Sequence, residues 1–217
     1  ELYDLLEQSK ALFKDKSKKK QLSVLAKKAM KPIVFLRTAN IPEQYRTLHG
    51  KRITLRPFRM EDLKDLFEFT ADEEATRYLY AAHKDIDQTE RLLTNYYLQE
   101  PYCKYAVELN DTKKMIGTFE FRIKEYDQNA ELGYTLTREY WGNGYMSEAI
   151  DLVLDIIFNK VQLARAYAEF DVRNEASGKL LTRAGMQRDG VLRKNRMVNG
   201  VLTDTVHCSI LREEYVK

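Results

Sequence analysis

The stretch that most restricts this fold is Trp141–Gly142–Asn143–Gly144, set between a strand-like run and an amphipathic helix. Upstream, Ala130–Thr135 has the texture of a strand. Downstream, Met146, Ala149, Ile150, Val153, Leu154 and Ile157 recur at helical spacing, which predicts a helix from about Tyr145. Amides in the first turn of a helix have no internal partners, and the helix dipole places partial positive charge there. Glycines beside them let an anion approach the main chain closely. The order strand, glycine loop, helix therefore suits a pyrophosphate cradle. By itself a GxG also fits a tight strand-to-helix turn. Ser147 occupies the third position of a GxGxxG pattern, and no Gly-Lys-Ser/Thr follows, so dinucleotide and nucleoside-triphosphate loops are not indicated.

The remaining pattern predicts an α/β fold. Arg52–Pro57 reads as a strand, and Arg59–Phe69 as a helix with Leu63, Leu66 and Phe67 on one face. Thr76–Tyr80 and Gln88–Gln99 are further predicted helices, the second capped near Asp87. Three antiparallel strands follow, Lys104–Leu109, Met115–Lys124 and Ala130–Thr135, joined by turns at Asn110–Asp111 and Asp127–Asn129. Beyond the glycine loop come a strand over Arg165–Val172 and a helix over Ala176–Ala184 ended by Gly185. A hairpin from Val191 turns at Asn199–Gly200 and returns along Thr205–Leu211. The expected architecture is a mostly antiparallel twisted sheet of about six to seven strands flanked by helices.

A different texture marks residues 1–49, read as a basic, helical N-terminal extension to a domain over 50–217. Leu2, Leu5, Leu6 and Phe13, then Leu22, Leu25 and Ala29, follow helical spacing around the lysine run Lys14–Lys20, and Ile33–Leu36 suits a short extended piece. Residues 1–50 hold eleven Lys and Arg against five Asp and Glu, while the rest of the chain is slightly acidic. That imbalance permits ribosome or nucleic-acid contact without sequence specificity, and equally a solvated packing or dimer arm. Cys103 and Cys208 lack metal-ligand spacing, as do His49, His83 and His207, so no metal site is expected. Two unpaired thiols suit a reducing cytoplasm. Charges interrupt every apolar run before membrane-spanning length, and no secretory-type segment opens the chain.

Several segments together resemble the GNAT acetyltransferases. They are Leu55–Arg56–Pro57 with Glu61–Asp62–Leu63, Met115–Ile116–Gly117, Ala130–Glu131–Leu132–Gly133–Tyr134, Tyr140–Tyr145 with Glu148–Ala149, and Asn174–Glu175–Ala176–Ser177 with Leu180–Leu181 and Ala184–Gly185–Met186. The set is similar to the RimJ/RimL-type branch over about residues 50–217, and that branch acetylates protein N-termini and some small amines. The resemblance implies acetyl-CoA as cosubstrate. Main-chain amides of Trp141, Gly142, Asn143, Gly144, Tyr145 and Met146 would hold its pyrophosphate. Leu136 and Thr137 would pair with the pantetheine arm, Asn174 would touch that arm, and Ser177 would stand near the departing sulfur. Glu139 departs from the Arg or Gln that commonly opens the loop motif. Loop amides do most of the phosphate work, so the loop is expected to tolerate it.

Acetyl transfer needs a neutral amine, an oriented thioester and a proton for the leaving thiolate. A lysine amine titrates near ~10.4 and an α-amine near ~7.7–8.0, so an N-terminal acceptor loses its proton far more readily. Glu131 is the first candidate for the base, with Glu120 in reserve and water as a third route. Glu131 also fits an ordinary salt-bridged strand residue. Ser177 is the candidate partner of the thiolate, although Asn-x-x-Ser is also a common helix-capping arrangement. A RimL-type glutamate after this helix has no counterpart, because Arg196 falls at that place. Tyr134 and Trp141 read as packing residues, and Tyr96, Tyr97 and Tyr102 suit either the core or an acceptor cleft. The leading expectation is acetylation of a protein N-terminal amine. A small-molecule amine (antibiotic, polyamine or amino acid) or a non-catalytic CoA-binding module remain open, with a homodimer compatible with each.

Overall fold

Alternation along the strands gives the sheet two unlike faces, and these dictate its layers. In the computed structural model, which describes residues 45–124 and 126–216, eight strands form one sheet: β1 (Leu48–His49), β2 (Ile53–Arg56), β3 (Lys104–Leu109), β4 (Met115–Lys124), β5 (Asn129–Leu136), β6 (Arg165–Asp171), β7 (Gln187–Val198) and β8 (Val201–Leu211). Their order is β1-β2-β3-β4-β5-β6-β8-β7, antiparallel at every junction except β5–β6. The count exceeds the expected six to seven. The two-residue β1, paired Leu48↔Leu55 and His49↔Thr54, is too short to show a period. The predicted N-terminal helices lie outside the described residues.

On one face, Ile53, Leu55, Val107, Ile116, Phe119, Phe121, Ala130 and Leu132 meet two helices, α4 (Tyr145–Asp155) and α5 (Glu175–Arg183). Met146, Ala149, Ile150, Val153 and Leu154 supply the inner stripe of α4, and a wider π-type turn over Ile156–Lys160 continues it. Fully burying a large apolar side chain contributes about 1.5–3 kcal/mol. The other face carries a smaller cluster of Phe58, Leu66, Leu93, Ala106 and Met115, covered by α1 (Leu63–Thr70) and α3 (Ile86–Leu92). Both layers bury every residue of β3.

Two helical expectations shift. Between α1 and α3 the helix α2 spans Glu73–Thr76, and residues 77–80 are turn and bend, in place of a helix over Thr76–Tyr80. Asp72 explains the earlier start, because its carboxylate accepts from the Glu74 and Ala75 amides. The cap of α3 is Asp85, two residues before Asp87, and it accepts from the Gln88 amide at 2.9 Å. After α3 the chain widens into a π-type turn over Leu93–Leu98 that carries Tyr96 and Tyr97.

The Leu55–Arg56–Pro57 and Glu61–Asp62–Leu63 segments meet in a buried ion cluster. The Arg56 guanidinium donates to both Asp62 oxygens at 2.7 and 2.8 Å and to Glu108 on β3, and only 5% of its side chain is exposed. This ties β2 to the entry of α1. Arg56→Met leaves two buried carboxylates facing one another without a cation. The expected loss is about 3–5 kcal/mol of folding free energy, read as a lower midpoint in urea denaturation.

Candidate active site

The glycine loop closes the path from β5 to α4. A 3₁₀ turn over Arg138–Tyr140 leads into Trp141, whose indole Nε1 donates to the Leu136 carbonyl at 2.7 Å. Gly142 and Gly144 then adopt φ of +77° and +79°, a left-handed conformation that side chains resist, and α4 begins at Tyr145. A Cβ placed on Gly142 would meet nothing within 4 Å, so the loop presents open main chain outward. This open, amide-rich helix start fits a pyrophosphate.

Arg52, absent from the sequence-based candidates, holds the loop from beneath. Its guanidinium donates to the Asn143 carbonyl at 2.8 Å and to Glu148 at 3.0 Å, and lies 4.8 Å from the centre of the Tyr145 ring. Its own amide donates to the other Glu148 oxygen at 2.8 Å. Burial pushes the Glu148 carboxyl upward, but the Arg52 amide and guanidinium together outweigh it and hold it below the usual carboxylate range. An arginine just before a strand carries no distinctive signal, because its partner lies 96 residues away.

Beside the loop the sheet opens. The parallel β5–β6 ladder runs from Asn129↔Arg165 to Leu132↔Ala168 and stops, while β5 continues to Leu136 and β6 to Asp171. The Thr137 amide bonds the Ile116 carbonyl on β4 at 2.8 Å. By strand alternation, Thr135 and Gly133 also turn their main chain toward β4, whereas Tyr134 and Leu136 turn theirs toward the gap. The opening therefore offers strand-type donors and acceptors to an extended amide-bearing arm. Of the pair Leu136–Thr137, Leu136 faces the gap with its carbonyl already accepting from the Trp141 indole, and the Thr137 amide is engaged with β4.

On the α4/α5 side of the gap, Asn174 caps α5 by accepting from the Ser177 amide at 3.2 Å. The Ser177 hydroxyl takes no part in that cap. It lies 2.7 Å from the Tyr134 hydroxyl, so one turn holds both the cap and a serine hydroxyl left to other work. Burial drives the Tyr134 phenol well above its ordinary range, with the Ser177 bond acting in the opposite sense. Tyr134 thus joins the site as a neutral hydroxyl beside Ser177.

Carboxylates line the opposite face. Glu131 accepts from Arg122 at 2.7 Å and from the Tyr167 hydroxyl at 3.1 Å, within the closed part of the ladder. Burial raises its carboxyl. The bond and charge of Arg122, with Tyr167 and Lys124, together outweigh burial and leave it below the usual range. Glu120 pairs with Gly133, one step past the last β5–β6 rung. A Cβ on Gly133 would come within 3.1 Å of the Glu120 carboxylate. Glu120 also pairs with Arg122 and accepts from the Tyr96 hydroxyl at 2.6 Å. Burial, then Glu120, pushes the Tyr96 phenol up to about 12.

Other sequence candidates lie elsewhere. Tyr97 stacks on Phe58 at 4.0 Å in the small core, and Tyr102 lies under Arg46. Arg196 lies exposed on β7, opposite Thr203. Cys103 and Cys208 are buried and unbridged, and burial lifts the Cys103 thiol to about 12, which makes it a poor nucleophile. Among the described residues, no group of three or more His, Cys, Asp or Glu could hold a metal ion. No helix there is long and apolar enough to cross a membrane.

The carboxylate contacts set an acid dependence. Glu131 and Glu148 both have folded-state values below the unfolded one. The stability they add is therefore present above about pH 4.3 and disappears as pH falls through their folded-state values. Thermal melting across that acid range should show a shallower decline for Glu148→Gln than for the parent chain.

Comparison with known proteins agrees with this geometry. Residues 52–187 match the acetyltransferase (GNAT) domain model. An uncharacterised N-acetyltransferase from Bacillus licheniformis is 32% identical over 174 residues, covering 78% of this chain and 98% of its own length. The structure of a putative acetyltransferase from T. thermophilus is 29% identical with a TM-score of 0.67, covering 78% of this chain and 90% of its own. A more distant relative is the spermidine N(1)-acetyltransferase of Vibrio cholerae, 23% identical over 77% of this chain and 97% of its own length. The chain belongs to the GNAT acetyltransferase family and is an acyltransferase that takes its acetyl group from acetyl-CoA.

Proposed function

We propose that the acceptor is a protein N-terminal α-amine, acetylated by direct attack on the thioester in the manner of the RimJ/RimL-type branch. The observation that carries the reading is the opening past Leu132↔Ala168, with hydroxyls on one side and carboxylates on the other. The donor's pyrophosphate rests on the main chain of Trp141–Met146, and its arm enters between β5 and β6 along Tyr134 and Leu136 with Asn174 at its flank. Ser177, bonded to Tyr134, donates to the departing sulfur. The amine arrives from the carboxylate face, where an α-amine needs only a modest base near neutral pH.

Two carboxylates compete for the amine proton. Glu131 is bound to Arg122 and Tyr167 below the opening, while Glu120 lies against Gly133 at its edge. We assign the proton to Glu120 and an anchoring role to Glu131, which fixes Arg122 between the two. The carboxylates of this face, two of them paired with Arg122, also suit a second reading, a cationic small amine. The spermidine acetyltransferase among the relatives supports that reading. Residues 50–217 form the catalytic domain in this proposal, with the basic 1–49 extension serving a homodimer or a sequence-independent ribosome or nucleic-acid contact in the cytoplasm.

Thiol release from acetyl-CoA, screened against N-terminal peptides and spermidine, tests the acceptor; turnover of spermidine alone would replace the first reading with the second. Glu120→Gln is expected to lower kcat by about a hundredfold or more, and Glu131→Gln by much less. The reverse order would return the base to Glu131. Chemistry and donor binding should also separate: Ser177→Ala lowers kcat about tenfold with little change in CoA affinity, whereas Gly142→Glu, which sets a carboxylate at the cradle, weakens CoA binding more than about tenfold in calorimetry.

A further inference from the structure

The register of six strands places one row of residues across the carboxylate face at the level where the sheet opens. Lys104 pairs with Glu120, Glu120 with Gly133, Glu169 with His207, and His207 with Gly190. Leu132↔Ala168 is the last β5–β6 rung, so the next residues on each strand, Gly133 and Glu169, are the first pair to separate. Leu132 and Ala168 both point into the large core, which turns Gly133 and Glu169 to the opposite face. The mouth of the gap is thus bounded by Glu120 on one wall and Glu169 on the other, with a side-chain-free glycine as the floor between them.

His207 stands directly behind Glu169. Its Nε2 lies 3.5 Å from a Glu169 oxygen and is otherwise buried without a hydrogen-bond partner among the described residues. Buried polar atoms are nearly always satisfied, so an orphan nitrogen aimed at a carboxylate at the mouth of a site calls for a functional reason. Glu169 remains 29% exposed, open to a ligand. Lys124 on β4, itself held by the Tyr167 hydroxyl, also acts on Glu169 electrostatically. The small core under α1 and α3 sits on β3 and β4 and does not extend to this wall.

We propose that Glu169, oriented by His207, is the second wall of the acceptor site: it holds the incoming amine as an ammonium ion and directs it to the opening facing Glu120. The inference rests on the reading that the amine arrives from the carboxylate face. Glu169 contacts the acceptor, and His207 is a positioning residue acting through it. β4 and β6 each pair with β5, so two strand spacings of about 4.8 Å set the walls about 10 Å apart.

The test uses the full chain with saturating acetyl-CoA and two acceptor probes, spermidine and an alanine-initiated tripeptide. Glu169→Gln should raise the KM of the preferred probe about tenfold while kcat changes less than twofold and CoA affinity is unaltered. His207→Phe should raise KM about threefold, and Glu169→Asp should recover part of the loss. Unchanged KM in Glu169→Gln, in a protein whose melting temperature is preserved, overturns the inference. A second measurement covers poorly folding variants and the absence of turnover. The His207 imidazole signals of the CoA-bound parent chain should move when either probe is titrated in an NMR experiment, and immobile signals for both probes overturn the proposal. If Glu169→Gln is silent while Glu120→Gln still lowers kcat, the second wall fails and the reading of the reaction survives. If CoA itself does not bind, that reading fails first.

Discussion

Everything at this site depends on where one hydrogen-bond ladder stops. Two parallel strands that stay paired would satisfy their main chain between themselves and leave nothing to offer a ligand. Here β5 and β6 share rungs only from Asn129↔Arg165 to Leu132↔Ala168 and then part. The strand residues beyond that point turn amides and carbonyls into a gap, which an extended, amide-bearing arm can satisfy as a further strand would. The helix start at Gly144–Tyr145 adds its unpaired amides at one end of the same opening.

The rest of the molecule holds that opening in shape. α4 and α5 pack on the sheet from one side through the large core, against which Tyr134 and Leu136 beside the opening are also packed. Arg52 binds the loop's Asn143 carbonyl to Glu148 in the first turns of α4. Farther off, Arg56 fastens β2 to Asp62 and Glu108, which fixes the α1 side against the sheet. Polar groups are sorted by the pleat. Hydroxyls of Tyr134 and Ser177 meet on the α5 side, and the carboxylates of Glu120, Glu131 and Glu169 sit across the sheet from them. Such a division suits a reaction that must give a proton to sulfur on one side and take one from nitrogen on the other.

Long elements with a clear period were legible in the sequence. The strands Lys104–Leu109 and Met115–Lys124 have the bounds that their alternation indicates, and α4 starts where its apolar stripe begins. Shorter or capped elements were not. β1 has two residues, and the start of α2 follows the Asp72 carboxylate rather than any apolar pattern. The final hairpin begins at Gln187, ahead of Val191, because exposed β7 carries charges that blur its alternation. In the glycine loop, local chemistry reached the surface of the sequence because glycine is the residue that tolerates a φ of +77° or +79°.

The sequence alone therefore determined the local features on the glycine-loop side of the opening: a glycine-bearing turn into an amphipathic helix and an Asn-x-x-Ser helix start. These are contacts between near neighbours, and short-range spacing records them. Tertiary structure alone decided the carboxylate side of the opening. Whether Glu120, Glu131 or Glu169 stands at the opening depends on which rungs β4, β5, β6 and β8 form. A register that brings Lys124 on β4 to Tyr167 on β6, 43 residues away, leaves no periodic mark. Arg52 and His207 belong to the same class, since each acquires its role from a partner that only the folded sheet brings within reach.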